Sequence, residues 1–324
     1  MSAFSSRVLL AVDGSPGSSR AARMAVGLSR SLRAELYIVH VGLEEYIDPR
    51  MWGSEPEFRN TVRERAEEVA KPKLNEQVQQ IREAGGEVSG AYVRIGRPDA
   101  EIVALAEELG AGLVIVGSRG KGLLKRALMG SVSNSVVRHA PAPVLVVRGD
   151  RREEGGRHLP GTILLALDGS DEARTAARAA VEISNATNSK LRVLYVIEDA
   201  PLNPYVPYPG PEAWEVSDDV LREHKENARA FLKGEVEWIE AGGGEVEEAH
   251  LAVGVPAKEI VRAGEELGAG LSVVGSRGLG AVGRALMGSV STSVVCHAHC
   301  PVLVVREEYT VARESEALER SLGR

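Results

Sequence analysis

One glycine pattern, Gly-x2-Gly-x9-Gly-Ser, occurs twice in this chain with its internal spacing unchanged. The two copies are Gly117, Gly120, Gly130 and Ser131, and Gly275, Gly278, Gly288 and Ser289. Each copy follows a short apolar run that is typical of a buried strand, and each ends in Gly-Ser before a helical pattern. Glycine lets the backbone approach a ligand closely, and the free N–H groups at the start of a helix attract anions. The repetition therefore predicts two copies of one phosphate-binding device.

The repeat extends through the rest of the chain. Asp13 and Asp168 are 155 residues apart, whereas Gly117 and Gly275 are 158 residues apart, so three residues have been inserted in between. A repeating unit of about 150 residues has the size of one domain and is too long for a solenoid repeat. The chain is therefore expected to fold as two domains of the same kind in tandem.

The segment between the two copies indicates where the domains divide. Residues 149–156 are polar and rich in glycine, which suits a linker better than a buried segment. The sequence predicts a first domain at 1–149, a linker at 150–160 and a second domain of the same kind at 161–309. Residues 310–324 are highly charged and predict a solvated C-terminal tail.

Composition excludes several classes of protein. The 324 residues are 44% hydrophobic, enough for two sizeable cores, and the net charge of -7 argues against a general binder of nucleic acid or of anionic membranes. No apolar stretch approaches the roughly 20 residues that span a bilayer, and the first residues lack a secretory apolar core, so a cytoplasmic location is the default. Cys296 and Cys300 are the only cysteines, which argues against a disulfide framework.

Strand and helix patterns alternate in each half of the chain. Each half is expected to contain five strands and about four helices, an alternation that favours a parallel sheet with helices on both faces. In a doubly wound α/β sheet of order 3-2-1-4-5, strands 1 and 4 are neighbours and ligands bind beyond their carboxyl ends. Asp13 closes strand 1 and Gly117 closes strand 4, so these motifs are expected to meet in one crevice. Pro72 lies inside a long helical pattern, where we expect a kink or a break.

In these features the chain resembles the universal stress proteins, specifically their ATP-binding branch in its tandem, two-domain form. The resemblance covers nearly the whole chain. It rests on the strand ends 11–15 and 166–170, on the two glycine loops, and on the final strands Pro-Val-Leu-Val-Val-Arg at 143–148 and 301–306. It implies one adenine nucleotide site in each domain, formed by an Asp after strand 1, a Val that ends strand 2 and the glycine loop.

The residues that the resemblance assigns to the two nucleotide sites are Asp13, Val41, Gly117, Gly120, Gly130 and Ser131, and Asp168, Val196, Gly275, Gly278, Gly288 and Ser289. Backbone amides of the glycine loop and the Ser131 hydroxyl suit phosphate oxygens. Main-chain groups at Val41 would bind the adenine. ATP or another adenine nucleotide is the expected ligand, and Mg2+ could accompany a triphosphate, held mainly by its oxygens and by water. The alternative for either loop is a tight turn without a ligand.

The segment Cys296-His-Ala-His-Cys300 contains the ligand types of a zinc site. It lies where the last helix is expected to end and the last strand to begin. Structural zinc sites usually need about four ligands, and only these local candidates are visible. We therefore expect structural packing here and predict no protein metal site.

Three kinds of function are consistent with these motifs. The first is a non-enzymatic ATP-binding stress or signalling protein, whose nucleotide occupancy stabilises a conformation or a homo-oligomer that an unidentified protein partner recognises. The second is a slow ATPase or a phosphotransferase. Neither repeat shows a histidine or a second carboxylate that would identify a general base, so no catalytic residue is assigned. The third is a scaffold with empty sites.

The two sites are expected to differ in charge. Two lysines of the first glycine loop, Lys121 and Lys125, correspond to Leu279 and Gly283 of the second. The first helices also begin differently, with Pro16-Gly17 in one half and Asp171-Glu172 in the other. If the lysines reach the phosphates, the first site should prefer ATP over AMP more strongly than the second. The alternative is that the lysines point outward, as exposed lysines usually do.

Overall fold

The structure is a computed structural model of the chain. It describes Phe4 and residues 6–42, 56–120, 129–148, 159–198, 218–278 and 287–306. The predicted tail at 310–324 lies outside the described residues, and so does the predicted linker apart from Leu159 and Pro160.

Strands and helices alternate along both halves, as the sequence predicts. In the first half they are β1 (Arg7–Val12), α1 (Pro16–Ser31), β2 (Glu35–Gly42), α2 (Pro56–Glu83), β3 (Gly90–Ile95), α3 (Pro98–Leu109), β4 (Leu113–Gly117), α4 (Ser131–His139) and β5 (Val144–Val147). In the second half they are β6 (Thr162–Leu167), α5 (Asp171–Thr187), β7 (Lys190–Glu198), α6 (Asp218–Ala241), β8 (Val246–Gly254), α7 (Pro256–Glu266), β9 (Leu271–Gly275), α8 (Ser289–His297) and β10 (Val302–Val305).

All these strands belong to one ten-stranded sheet, whose order is β3-β2-β1-β4-β5-β10-β9-β6-β7-β8. Neighbouring strands within each half are parallel. The order 3-2-1-4-5 predicted for a doubly wound domain is therefore confirmed in both halves. The halves join through β5 and β10, which pair antiparallel with Leu145 opposite Leu303. The sequence repeat by itself does not predict this pairing.

The antiparallel junction reverses the strand direction between the halves. The carboxyl ends of β1 to β5 lie at one edge of the sheet, and those of β6 to β10 lie at the opposite edge. Ligands of doubly wound sheets bind beyond the carboxyl ends of the strands. The crevices of the two domains therefore open at opposite edges of the sheet.

Apolar strands are buried on both faces of the sheet, as parallel strands between two helical layers require. Every residue of β5 and of β10 is buried. Leu145 and Leu303 belong to the core layer that contains residues of α1 and α5, whereas Val146 and Val304 belong to the layer that contains residues of α3, α4, α7 and α8. Both core layers thus continue from one domain into the other.

A serine cap and a proline mark the start of the first helix. Ser15 is the N-cap of α1, and its Oγ accepts a hydrogen bond of 3.1 Å from Ser18 N, while Pro16 occupies the first turn. The residues that α1 buries include Ala21 and Ala25, whose small side chains let the helix lie close to the sheet. The position of α1 is therefore fixed at the end of β1, next to the crevice.

The long helix of the first domain is continuous. α2 runs through Pro72 without interruption, so of the two expectations the break is wrong, and the kink stays a prediction. Pro72 is exposed, whereas Ala70 and Leu74 on either side of it are buried and hold the helix against the domain. In the part of the chain that the structure describes, no helix is long and apolar enough to cross a membrane.

Two arginines cross the junction between the domains in a reciprocal way. Arg148 follows β5, and its Nη1 donates a hydrogen bond to Val295 O in the last turns of α8. Arg306 follows β10, and its Nη2 donates to Val137 O at 3.0 Å and to Arg138 O in the last turns of α4. The last carbonyl groups of a helix lack partners within the helix and attract cations. Each domain therefore caps the last helix of the other.

Asp99 connects α3 to α4, the helix that begins at Ser131. Its Oδ2 accepts hydrogen bonds from Ser135 Oγ at 2.7 Å and from Arg97 Nη2 at 2.9 Å. The hydrogen bond from Ser135, followed by that from Arg97, holds the pKa of the Asp99 carboxyl below its ordinary value. Folding therefore favours the ionised form of Asp99.

We expect Asp99→Asn to lower the free energy of unfolding by about 1 kcal/mol at neutral pH, because it weakens charge-assisted hydrogen bonds. The stabilisation that comes from a lowered carboxyl pKa is present above the unfolded value of about 4 and is lost as the pH falls through the folded value. Urea unfolding of the wild type and the variant at pH 7 and pH 3 should show a smaller difference at the lower pH. Ser135→Ala should behave in the same way, and an equal loss at both pH values would contradict this account.

Candidate functional site

The turn after β1 and the glycine loop after β4 meet at the carboxyl edge of the first domain. Asp13 follows β1, and its Oδ1 accepts a hydrogen bond of 2.9 Å from Ser15 N. Its Oδ2 faces Gly120, where an added Cβ atom would lie only 2.6 Å from that oxygen. Glycine at this position lets the loop backbone reach the carboxylate. The structure thus brings together the two motifs that were expected to meet.

The same loop packs on the first turn of α1. An added Cβ on Gly17 would lie 2.5 Å from Arg119 O, and one on Gly117 would lie 2.8 Å from the carbonyl carbon of Gly17. Ser15 Oγ donates a hydrogen bond of 3.3 Å to the same Arg119 O. Gly117 therefore allows the end of β4 to pack on the start of α1, and this packing forms the inner wall of the crevice.

α4 begins in this crevice with an uncapped first turn. Its N-cap residue, Gly130, has no side chain to accept from the first N–H groups, and the first turn contains no acidic residue. Gly130 N donates to Ser118 O at 2.9 Å, and Ser133 Oγ donates to the same oxygen at 3.1 Å. Ser131, the first residue of α4, is exposed. The start of α4 therefore carries N–H groups without side-chain caps and partial positive charge.

Val41 lies in the strand beside β1. His40 pairs with Val12 in the register of β2 and β1, which places Val41 level with Asp13. Val41 packs partly buried against the core layer of α3 and α4, and His40 Nδ1 lies 2.8 Å from Val12 O. Val196 has the corresponding position in β7 and packs on the same layer in the second domain. Both valines thus lie at the side of their crevices.

The second domain repeats this geometry at the opposite edge of the sheet. Asp168 Oδ1 accepts hydrogen bonds from Ser170 N at 3.0 Å and from Ser170 Oγ at 2.6 Å. An added Cβ on Gly278 would collide with Asp168 Oδ2. Gly288 is the N-cap of α8, which begins at the exposed Ser289, and the first turn again contains no acidic residue.

One ion pair distinguishes the second site from the first. Glu172 stands where the first domain has Gly17, is buried at the start of α5, and places its Oε1 2.8 Å from Arg277 Nη2. Arg277 O lies beside Gly275, 3.1 Å from an added Cβ there, whereas the equivalent carbonyl of Arg119 lies against Gly17. The side chain of Arg119 is exposed. The two loops therefore differ in both backbone path and charge.

Sequence reasoning missed the serines that hold the loop to the last helix of each domain. Ser118 and Ser133 recur as Ser276 and Ser291 at the same offset of 158 as the glycines, so the repeat could have indicated them. Ser291 Oγ donates to Gly275 O at 2.7 Å. The pairing of Glu172 with Arg277 left no comparable pattern, because the two residues are far apart in sequence and Arg277 recurs as Arg119 whereas Glu172 is replaced by Gly17 in the first repeat.

The lysines of the first loop cannot be placed. Lys121 and Lys125 lie within 121–128, and their counterparts lie within 279–286, and both segments are outside the described residues. The expectation that these lysines reach phosphate therefore stays a prediction.

The side chains of the Cys-His segment of the second domain contact different partners. Cys300 Sγ lies 3.2 Å from Ser272 Oγ, and burial of the thiol raises its pKa. His299 Nε2 lies 2.7 Å from Glu265 Oε1, and His297 Nδ1 lies 2.8 Å from a carbonyl oxygen one turn earlier in α8. Among the residues that the structure describes, no group of three or more His, Cys, Asp or Glu side chains is arranged to hold a metal ion.

Fold and sequence comparison together place the chain in a family. The fold defines its class: two doubly wound α/β domains in tandem, joined edge to edge into one sheet. The universal stress protein family matches residues 5–148 and 161–306, so the chain belongs to that family.

Known relatives match either the whole chain or one domain. A universal stress protein of Mycolicibacterium smegmatis is 30% identical over 302 residues, covering 92% of this chain and 96% of its own. One of Thermus aquaticus is 40% identical over 145 residues, covering 45% of this chain and 98% of its own. The crystal structure of a universal stress protein from Archaeoglobus fulgidus has a TM-score of 0.68 and 26% identity, covering 94% of this chain and 99% of its own. The tandem arrangement is therefore shared with full-length relatives.

We expect Gly17→Ala to destabilise the protein by about 1–3 kcal/mol, because the new methyl group would collide with the backbone at Arg119. Replacing a glycine within a helix by alanine ordinarily raises the free energy of unfolding by up to about 1 kcal/mol. Gly234→Ala in α6 is the control, since an added Cβ there has no neighbour within 4 Å among the described residues. Thermal unfolding should give shifts of opposite sign. A stabilised Gly17→Ala variant would contradict the close packing of the loop on α1.

Proposed function

We propose that this universal stress protein binds an adenine nucleotide, ATP or a related one, in each of its two domains and acts as a nucleotide-dependent stress or signalling module. The observation that carries the proposal is the uncapped, acid-free start of α4 beside Asp13 and Gly120, repeated at α8 beside Asp168 and Gly278. Such helix starts favour phosphate groups, and the carboxyl edge between β1 and β4 is the point where the winding of the sheet reverses.

The parts of the site suit different parts of the ligand. The loop backbone from Gly120, the first N–H groups of α4 and the exposed Ser131 hydroxyl would bind the phosphates. Main-chain groups at Val41 would bind the base. Gly117 and Gly130 let the loop and the helix approach each other, and Asp13 orders the turn through Ser15 N. The second domain would use Asp168, Val196, Gly275, Gly278, Gly288 and Ser289 in the same way. Mg2+ would be held by the phosphate oxygens and water.

A route by which nucleotide occupancy could affect the rest of the protein starts at the loop. Ser118 N donates to Val147 O at 2.8 Å, and the next residue, Arg148, reaches Val295 O in the other domain. A ligand that binds one arrangement of the loop more tightly than another would shift the protein towards that arrangement. The readout would be a change in the domain junction or in a homo-oligomer that a protein partner recognises. A cytoplasmic location stays a prediction.

The direct test is to denature purified protein and identify the released molecules by mass spectrometry. Retained ATP or ADP, or binding of about two added nucleotides per chain, would support one site in each matched domain. Absence of both retained and added nucleotide would overturn the proposal and favour a scaffold. Steady phosphate release that requires an intact site would instead favour the slow ATPase or phosphotransferase.

We expect Ser131→Asp to weaken ATP binding at the first site by at least about tenfold, because it places a negative charge beside the phosphates. The same carboxylate interacts favourably with the start of α4, so thermal stability should be unchanged or raised by about 0.5 kcal/mol. Calorimetric titration and thermal unfolding of the same sample separate the two effects.

Ser289→Asp is the matched variant for the second site. Each single variant should lose one binding event and keep the other, and the double variant should lose both. Unchanged stoichiometry and affinity in a folded Ser131→Asp variant would contradict the assignment of the first site.

A further inference from the structure

The ion pair of Glu172 with Arg277 lies within the proposed second nucleotide site. Both side chains are mostly buried, with 12% of Glu172 and 15% of Arg277 exposed, and their atoms are 2.8 Å apart. Glu172 also packs on the end of β9, since an added Cβ on Gly275 would lie 3.1 Å from the Glu172 Cβ. The carboxylate is thus held by the fold between the start of α5 and the loop.

The first site lacks this carboxylate because it has glycine at the equivalent position. Gly17 carries no side chain, and Arg119 O occupies the space next to it. The side chain of Arg119 is exposed. Arg119 of the first loop therefore presents an exposed guanidinium group, whereas the guanidinium group of Arg277 in the second loop is neutralised by an internal anion.

We propose that Glu172 makes the second site selective for adenine ligands of low phosphate charge, a nucleoside or a nucleoside monophosphate, whereas the first site takes the triphosphate. This inference rests on the proposed nucleotide sites and names what distinguishes them. Glu172 acts as a resident anion that holds Arg277 and adds negative charge at the start of α5.

The energetic argument follows from what a triphosphate would have to displace. To use Arg277, the phosphates would have to break a largely buried ion pair, and Glu172 would then be left as a buried charge without its partner. Removing one member of such a pair is costly. If Arg277 kept its partner, the triphosphate would still meet the Glu172 charge nearby. A neutral nucleoside or a single phosphate avoids most of this repulsion, so the discrimination increases with phosphate charge.

The experiment measures the ratio of ATP to AMP affinity at the second site alone. Ser131→Asp disables the first site, and ATP, AMP and adenosine are titrated calorimetrically into this background. With Glu172 intact, AMP or adenosine should bind at least as tightly as ATP. Glu172→Gln, which keeps the shape and removes the charge, should raise the ATP/AMP affinity ratio by about tenfold. Glu172→Gly, which reproduces the residue of the first domain, should raise it in the same direction.

Asp171→Asn is the matched control. It removes one negative charge from the preceding position of α5, but the side chain of Asp171 is exposed. Its ATP/AMP ratio should change by less than about threefold, because exposed charges are screened. An equal effect of Asp171→Asn and Glu172→Gln would overturn the proposal in favour of a general helix-end charge. Thermal unfolding confirms that each variant is folded, and both ligands are measured on the same preparation.

Failure of this inference and failure of the proposed function give different results. If neither site of the wild type binds any adenine ligand, the proposed function is wrong and this inference is wrong with it. If both sites bind but Glu172→Gln leaves the ratio unchanged, only this inference is wrong. The same holds if the intact second site prefers ATP as strongly as the first site, measured in the Ser289→Asp variant, or if it alone binds no adenine ligand.

Discussion

Antiparallel pairing of β5 with β10 determines how the two domains are arranged relative to each other. Each of these strands would otherwise be the exposed edge of a five-stranded sheet, with a row of unpaired N–H and C=O groups. Their pairing satisfies both edges at once and makes both core layers continuous between the domains. Because the pairing is antiparallel, it also sends the two crevices to opposite edges of the sheet, so the sites are alike but do not share a surface.

The short helices α4 and α8 connect these opposite edges. Each begins at its own crevice and ends beside the arginine that follows the last strand of the other domain. The same last strands accept hydrogen bonds from the loops, Ser118 N to Val147 O in one domain and Ser276 N to Val305 O at 2.7 Å in the other. Each loop therefore contacts the last strand of its own domain, and the arginine after that strand contacts the helix that begins at the other site. This continuous series of contacts is a physical basis for coupling between the two sites, which would be measured as a coupling free energy.

Much of the fold could be predicted from the sequence, because hydrophobic periodicity and glycine spacing are local patterns. The strand order and the meeting of Asp13 with the glycine loop followed from the rule that doubly wound sheets reverse between strands 1 and 4. A break at Pro72 was expected wrongly, because packing of its buried neighbours, a tertiary effect, keeps α2 continuous. The β5–β10 pairing was missed for a related reason: a repeat shows that two units are similar but does not show which edges of them meet.

The two candidate sites show how matching motifs can still differ in charge. The glycine spacing is the same in both domains, and the carboxylate after the first strand lies against the loop in both. What differs is a residue outside the pattern, glycine at 17 and glutamate at 172, whose importance depends on where the loop carbonyl and guanidinium lie. Glycine at 17 is required by the backbone of Arg119, so a side chain cannot be added there without moving the loop. In the second domain Glu172 has this position, and the carbonyl group of Arg277 lies beside Gly275 instead. The buried carboxylate of Glu172 pairs with Arg277 next to the crevice. Charge and backbone path therefore differ together between the two domains at this position.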